Sequence, residues 1–318
     1  MTSDPQTRPR YLGLPTFMRL PYAEDVGGAD IAVLGVPFDG GVSNRPGARH
    51  GPRAVRDLSS MVRKVNQATG AAPFDAASIV DGGDIWTERV YRLEDAHADI
   101  EAGFAKVREA GVVPLSVGGD HSISLPIMRA MFSGGPPVGM VHIDAHCDTA
   151  DDDGPSRFHH GAPFSRAVEE GLLDPKRTVQ IGIRGALFDP DRWKFSYDAG
   201  MRVVPMEEVY EIGPKGAAAI AHEVVGDGPT YLSFDIDCLD PAFAPGTGTP
   251  EIGGFSTAEA LVLLRRLAGI DFVAGDLVEV SPPFDSAGIT ALAGANLLFE
   301  ILCLLTASLE ARRSAVAK

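Results

Sequence analysis

The stretch Val138-Gly139-Met140-Val141-His142-Ile143 is a short apolar run that ends directly on Asp144-Ala145-His146-Cys147-Asp148. Comparable runs occur at Ile31–Val36, Val112–Val117, Thr178–Ile183, Thr230–Phe234 and Phe272–Val280. They are rich in Val and Ile and fringed by Gly or Pro, as parallel strands buried on both faces are. Between them, Leu93–Ala110, Ile123–Met131, Pro163–Glu170, Gly216–Val225 and Thr257–Leu267 have helical periodicity or composition. Alternating strand and helix predicts βαβ units and an α/β fold, with a mostly parallel central sheet covered on both faces. No Pro/Gly/Ser-rich linker divides the chain, so residues 30–318 read as one domain. In residues 1–29, Pro5, Pro9, Pro15 and Pro21 block regular structure, and this N-terminal segment is expected to be irregular.

In open parallel sheets ligands bind at the carboxyl ends of the strands. Three polar clusters stand there: Gly118-Gly119-Asp120-His121, Asp144 to Asp148, and Asp235-Ile236-Asp237. Glu279 lies near the end of a further strand, before Ser281-Pro282-Pro283. A lone Asp after a strand is ordinarily a helix N-cap. The set is harder to explain so. Asp144, His146 and Asp148 alternate, as do Asp235 and Asp237, so an extended chain would turn them to one side. Crowded carboxylates and imidazoles would repel or be desolvated at high cost, which a divalent cation removes. Oxygen-rich ligation with some imidazole suits Mn²⁺, with Ni²⁺ among the alternatives. The number of ligands suits two ions about 3.5–4 Å apart, which can turn a bridging water into a hydroxide nucleophile. Cys147 is expected to face away and pack.

The 318 residues carry 43 acidic against 28 basic side chains, a formal charge of −15. That balance argues against nucleic acid or an anionic membrane as the main partner. Three scattered cysteines, Cys147, Cys238 and Cys303, form no disulfide framework and fit a reducing, cytoplasmic setting. Met1 to Arg10 has no apolar core of a secretory signal. The most apolar stretch, Ala291–Ala307, contains Asn296 and Glu300 and reads as a buried helix, not a membrane span.

Gly118-Gly119-Asp120-His121, Asp144-Ala145-His146-Cys147-Asp148 and Ser233-Phe234-Asp235-Ile236-Asp237-Cys238-Leu239-Asp240-Pro241 resemble, in order, the three signatures of the ureohydrolase family of arginases, agmatinases and guanidino-acid amidinohydrolases. Asn44 to Pro52, Phe243 to Glu251 and Glu279-Val280-Ser281-Pro282 resemble further family segments, so the likeness covers nearly the whole chain. It implies a three-layer α/β/α fold with two Mn²⁺ per subunit. Carried over by position, His121, Asp144, Asp148 and Asp235 would hold one ion. Asp144, His146, Asp235 and Asp237 would hold the other, with Asp144 and Asp235 bridging. The implied reaction is attack by the bridging hydroxide on a guanidino carbon, releasing urea and an amine. Glu279 would accept hydrogen bonds from the substrate NH₂ groups, and His160 would shuttle the proton that the leaving amine needs. Asp120 and His142 are candidates for orienting the metal site. The same fold is shared with histone-deacetylase-like amidohydrolases, which use one zinc and lack the second set of ligands.

The long motifs look most like bacterial guanidinopropionase and guanidinobutyrase. Arginases place an acidic residue shortly after an Ile-Gly-Leu-Arg strand, whereas Ile181-Gly182-Ile183-Arg184 meets no carboxylate until Asp189. The expected substrate is therefore a guanidino acid, 3-guanidinopropionate or 4-guanidinobutyrate, with Arg157, His159 and Thr249 as substrate contacts. Agmatine is the alternative, as is a biguanide such as metformin. The acidic run Asp151–Asp153 would favour their cationic tails unless it is a solvated loop tip. A non-catalytic metal-binding partner subunit is a reading of another class. The resemblance also implies a homo-oligomer, a trimer or hexamer.

Overall fold

A computed structural model describes residues 9–150, 156–187 and 189–316. Eight strands form one sheet among the described residues: β1 (Ile31–Val36), β2 (Ile79–Asp84), β3 (Val113–Gly118), β4 (Val138–Ile143), β5 (Leu173–Ile183), β6 (Arg202–Pro205), β7 (Thr230–Asp235) and β8 (Phe272–Val278). Every neighbouring pair is parallel, in the order β2-β1-β3-β8-β7-β4-β5-β6. The helices are α1 (Gly51–Leu58), α2 (Pro73–Ala76), α3 (Leu93–Glu109), α4 (Ser124–Phe132), α5 (Pro163–Glu169), α6 (Lys194–Ala199), α7 (Met206–Val225), α8 (Thr257–Arg266) and α9 (Ile289–Val316).

Strand alternation divides the interior into two apolar layers. Leu115, Val117, Val141, Ile143, Leu232, Phe234 and Leu277 face α1, α7, α8 and α9. Leu34, Val36, Met140, Tyr231, Ala274 and Val278 face α3, α4 and α5. The architecture is the expected three-layer α/β/α. β1, β3, β4, β7 and β8 appear within a residue or two of their apolar runs, whereas β5 starts five residues before its run, at Leu173. The edge strands β2 and β6 were not anticipated. Ile79-Val80-Asp81-Gly82-Gly83-Asp84 has a full strand on one side only, with a single bridge from Tyr22 to Asp81 on the other, and the four residues of β6 pair with β5 alone, so neither needs a continuous apolar run. α7 begins ten residues before the expected start because a left-handed Gly213 (φ 68°) and Pro214 divide it.

In the N-terminal segment Phe17 and Met18 are fully buried around a 3₁₀ turn, and Asp81 accepts the Phe17 N–H at 2.7 Å. α9 is long and apolar enough to cross a membrane, but two thirds of its apolar window is buried inside the protein. Its buried Glu300 is paired with Arg265 at 2.5 Å and Asn66 at 2.7 Å, as a carboxylate in that position must be.

The strand order positions the chemistry. The chain passes from β3 to β4 across a gap that β7 and β8 later fill, so the ends of β3, β8, β7 and β4 lie side by side. Register sets them level: Ile143 pairs with Phe234, Asp235 with Val278, and Val117 with Leu277. The residue after β3 is Gly119, at φ 50°, where a Cβ would stand 2.5 Å from the carbonyl oxygens of both Val36 and Phe38. Gly119→Ala is therefore expected to cost more than about 1 kcal/mol, read as a lower urea midpoint, and to weaken metal binding through the displaced His121.

Candidate metal centre and active site

At three of these strand ends the same local device turns the chain. Asp120 Oδ1 accepts the Ser122 N–H at 2.9 Å, Asp144 Oδ1 the His146 N–H at 2.7 Å, and Asp235 Oδ1 the Asp237 N–H at 2.8 Å. Each is an Asp side chain bonding the backbone two residues on. The side chains thus converge because the chain turns, not because it stays extended as their alternating spacing suggested. Asp148 itself sits at φ 49°.

Having used one oxygen on the backbone, Asp144 and Asp235 turn the other inward. His121 Nδ1 lies 3.2 Å from Asp144 Oδ2, 3.0 Å from Asp148 Oδ2 and 3.1 Å from Asp235 Oδ2. His146 Nδ1 lies 3.1 Å from Asp237 Oδ2 and 3.5 Å from Asp144 Oδ1. Asp237 uses its own Oδ1 to accept the Ala145 N–H at 3.2 Å. All six predicted ligands come together, in two groups that share Asp144, and all but His146 and Asp148 are essentially inaccessible.

Neighbouring polar residues aim these ligands. Ser233 donates to Asp276 Oδ1 at 2.7 Å, so its oxygen accepts from His121 Nε2–H at 2.8 Å. That contact keeps one His121 proton on Nε2, so the proton that Nδ1 shares with the three carboxylates is the one a cation would displace. Tyr231 and Ser124 hold the other Asp276 oxygen at 2.5 and 2.6 Å. His142 also lies beside the cluster, but its Nδ1 accepts from the Gln180 amide at 3.1 Å. Its Nε2–H therefore donates to Asp144 Oδ2 at 2.7 Å, orienting a ligand without being one. The Gln180 amide is itself fixed by the Cys147 carbonyl at 2.5 Å. Single polar residues within buried apolar strands (Ser233, Gln180, Asp276) were the signal that could have revealed this supporting shell.

Asp120 does not orient His121. Its carboxylate holds Ser122 and the Gly41 N–H, the latter at 2.7 Å, and burial with the nearby Glu279 charge raises it to about 7. Cys147 packs against Ile183 and Val203, and all three cysteines are free and buried.

The charges in this enclosure depend on one another. Burial disfavours a charged His121, yet its bonds to Asp144, Asp148 and Asp235 raise it well above the usual imidazole range. Burial would also raise Asp144, but His142, His121 and His146 hold it well below the carboxylate range. Burial raises both Asp235 and Asp237, helped by repulsion from Asp237 and Asp144 at Asp235 and from Asp144 at Asp237. Imidazole lone pairs and carboxylate oxygens aimed at one buried volume fit a divalent cation.

Beyond the cluster, a cleft of about 1250 Å³ is lined by Ser43, His146, Asp148, His159, His160, Asp235 and Thr249, among others. Glu279, at φ 63° and 1% exposed, accepts the His121 backbone N–H at 2.9 Å and lies 2.8 Å from His160 Nδ1, all through Oε1. Its Oε2 is buried without a hydrogen-bond partner among the described residues and faces Gly248, where even a Cβ would lie 3.5 Å away. Burial lowers His160, but the Glu279 carboxylate outweighs it and leaves the ring at about 9. Thr249 donates to Asp237 Oδ2 at 3.3 Å. His159 accepts the Gly161 N–H at 3.1 Å, and burial lowers it. Arg157 is not brought to the cleft: it is paired with Glu169 of α5 at 3.0 Å. Asp151–Asp153 lie outside the described residues.

Asp237→Ala is expected to lose one of two bound ions, counted by elemental analysis. Ser233→Ala, which frees the His121 tautomer, is expected to weaken metal affinity about 10–100-fold in a chelator competition. Because the ligands bind metal only when deprotonated, affinity should be weaker at pH 6 than at pH 8. Equal affinity at both would count against this ligand set.

The comparisons agree with this geometry. A family profile described as "Arginase family" matches residues 29–304. The guanidinopropionase of Pseudomonas aeruginosa is 54% identical over 308 residues, 96% of each chain. The mitochondrial agmatinase of Gallus gallus is 49% identical, covering 93% of this chain and 87% of its own. The solved structure of proclavaminate amidinohydrolase from Streptomyces clavuligerus superposes with a TM-score of 0.91 at 41% identity, covering 95% of this chain and 100% of that one. With the three clusters meeting where the strand order requires, and likeness running through nearly the full length, the chain belongs to the arginase family.

Proposed function

We propose that the protein is a binuclear-metal amidinohydrolase that releases urea and an amine from a small guanidino acid. The observation that carries this reading is Glu279. A buried carboxylate oxygen without a partner is costly and calls for a donor, and a guanidinium edge supplies N–H groups of the right charge. The left-handed backbone at Glu279 turns this side chain out of the strand direction, toward His121 and His160.

Two Mn²⁺ held by His121, Asp144, His146, Asp148, Asp235 and Asp237 would supply, when bound, Lewis-acid activation of water. Ni²⁺ suits the same donors. The protein's own groups do the rest. Glu279 binds and orients the guanidinium, which brings its carbon toward the cluster and offsets its charge. His160, hydrogen-bonded to Glu279 through Nδ1–H, is placed to give that proton to the departing nitrogen. His159 and Thr249 line the same cleft.

The preference for a guanidino acid rests on likeness to the guanidinopropionase, with 3-guanidinopropionate and 4-guanidinobutyrate the first choices. The agmatinase relative keeps agmatine as the second reading. Arg157 is not the carboxylate anchor in this arrangement, because Glu169 engages it. A trimer or hexamer is proposed on the family likeness.

With the manganese-loaded protein, urea release should be fastest with 3-guanidinopropionate or 4-guanidinobutyrate and at least about tenfold slower with agmatine, in kcat/KM. Agmatine turning over fastest would overturn the substrate reading. Glu279→Gln should lower kcat/KM about 10²–10³-fold while both ions stay bound.

A further inference from the structure

His160 is engaged on both sides. Nδ1 faces inward, 2.8 Å from Glu279 Oε1. Nε2 faces Ser43, whose hydroxyl lies at 2.8 Å and whose backbone N–H donates at 3.1 Å. Ser43 is exposed and lines the cleft, whereas His160 is only 8% exposed. The loop carrying Ser43 is held from two directions. The Gly41 carbonyl accepts the His160 backbone N–H at 3.0 Å, and the Gly41 N–H is bound by buried Asp120 at 2.7 Å. A hydroxyl that only filled space would not require such fixing. This one sits between a buried imidazole nitrogen and the solvent of the cleft.

We propose that the Ser43 hydroxyl is the outer half of a proton relay through His160, a positioning residue that exchanges protons between cleft water and Nε2 while Nδ1 serves the reacting groups beside Glu279. The inference rests on His160 being the proton donor of the proposed reaction. In one exchange Nδ1 gives its proton to the departing nitrogen while Nε2 takes the Ser43 hydroxyl proton and Ser43 takes one from a water or buffer acid. Discharge runs the same bonds in reverse. Over a turnover the attacking water gives up both of its protons and the departing nitrogen, which leaves as an ammonium, gains two, so the relay moves protons and stores none. The backbone N–H of Ser43 bonds the same nitrogen and survives substitution. Removing the hydroxyl therefore tests proton passage with the ring still held.

The test uses the full-length, manganese-loaded protein with its best guanidino substrate. Ser43→Ala should lower kcat at least about tenfold with KM within about twofold, and raising the imidazole buffer concentration at constant pH and ionic strength should restore it. Ser43→Thr, which keeps a hydroxyl, should stay within about threefold of the parent. Unchanged kcat in Ser43→Ala, or a loss that buffer does not restore, would overturn the relay. His160→Asn serves as the control for the underlying reading. If it abolishes urea release while Ser43→Ala does not, only the relay fails. If His160→Asn is fully active, the assignment of His160 fails first.

Discussion

The structure depends on the cost of gathering carboxylates in a dry place. Asp144, Asp235, Asp237 and Glu279 are all within 2% of complete burial, and Asp148 closes the same volume. Unpaired carboxylates there would repel one another and lose their hydration. For three of the aspartates the solution is a division of labour between the two carboxylate oxygens. One oxygen of Asp144, Asp235 and Asp237 binds a backbone N–H, and the other faces an imidazole. The backbone bonds favour the ionised form and fix its direction. What remains is a set of lone pairs aimed at one place, complementary to concentrated positive charge.

The ordinary and the chemical readings of these aspartates are therefore both true. Asp120 and Asp235 cap 3₁₀ turns after their strands, as an Asp in that position commonly does. The cap restricts rotation of the side chain, and for Asp235 this presents Oδ2 to His121 at a fixed distance. Asp120, with both oxygens taken by Ser122 and Gly41, has none to spare and tethers the Ser43 loop instead. The same residue type after the same kind of strand acquires different work from the number of backbone donors around it.

This also explains what could be read in the chain and what could not. Central strands buried on both faces must be continuously apolar, so β1, β3, β4, β7 and β8 announce themselves, and the polar residues just beyond them mark the site. β2 and β6 stand at the ends of the sheet with a full neighbouring strand on one side only, which relaxes that demand and hides them. The convergence of the ligands was legible, but its cause was not, because alternating spacing fits both an extended strand and an Asp-centred turn. Arg157 looked like a carboxylate partner only while Glu169, twelve residues on, was unplaced. Ser43 carried no signal because its role comes from a loop meeting His160 across 117 positions of sequence.

The left-handed backbones of Asp148 and Glu279 show where the fold spends its stability. Such conformations cost on the order of 1–3 kcal/mol each and persist only where their surroundings over-determine them. Here the surroundings are four level, fully paired strands with helices on both faces. The residues that touch the outer cleft, by contrast, lie on loops: Ser43 after β1, His159 and His160 before α5, and Thr249 between β7 and α8. A change in these loops alters what fits the cleft without disturbing the strand ends that hold the cluster. The ligand cluster and the outer lining of the cleft are thus carried by different parts of the fold, strand ends for the one and loops for the other.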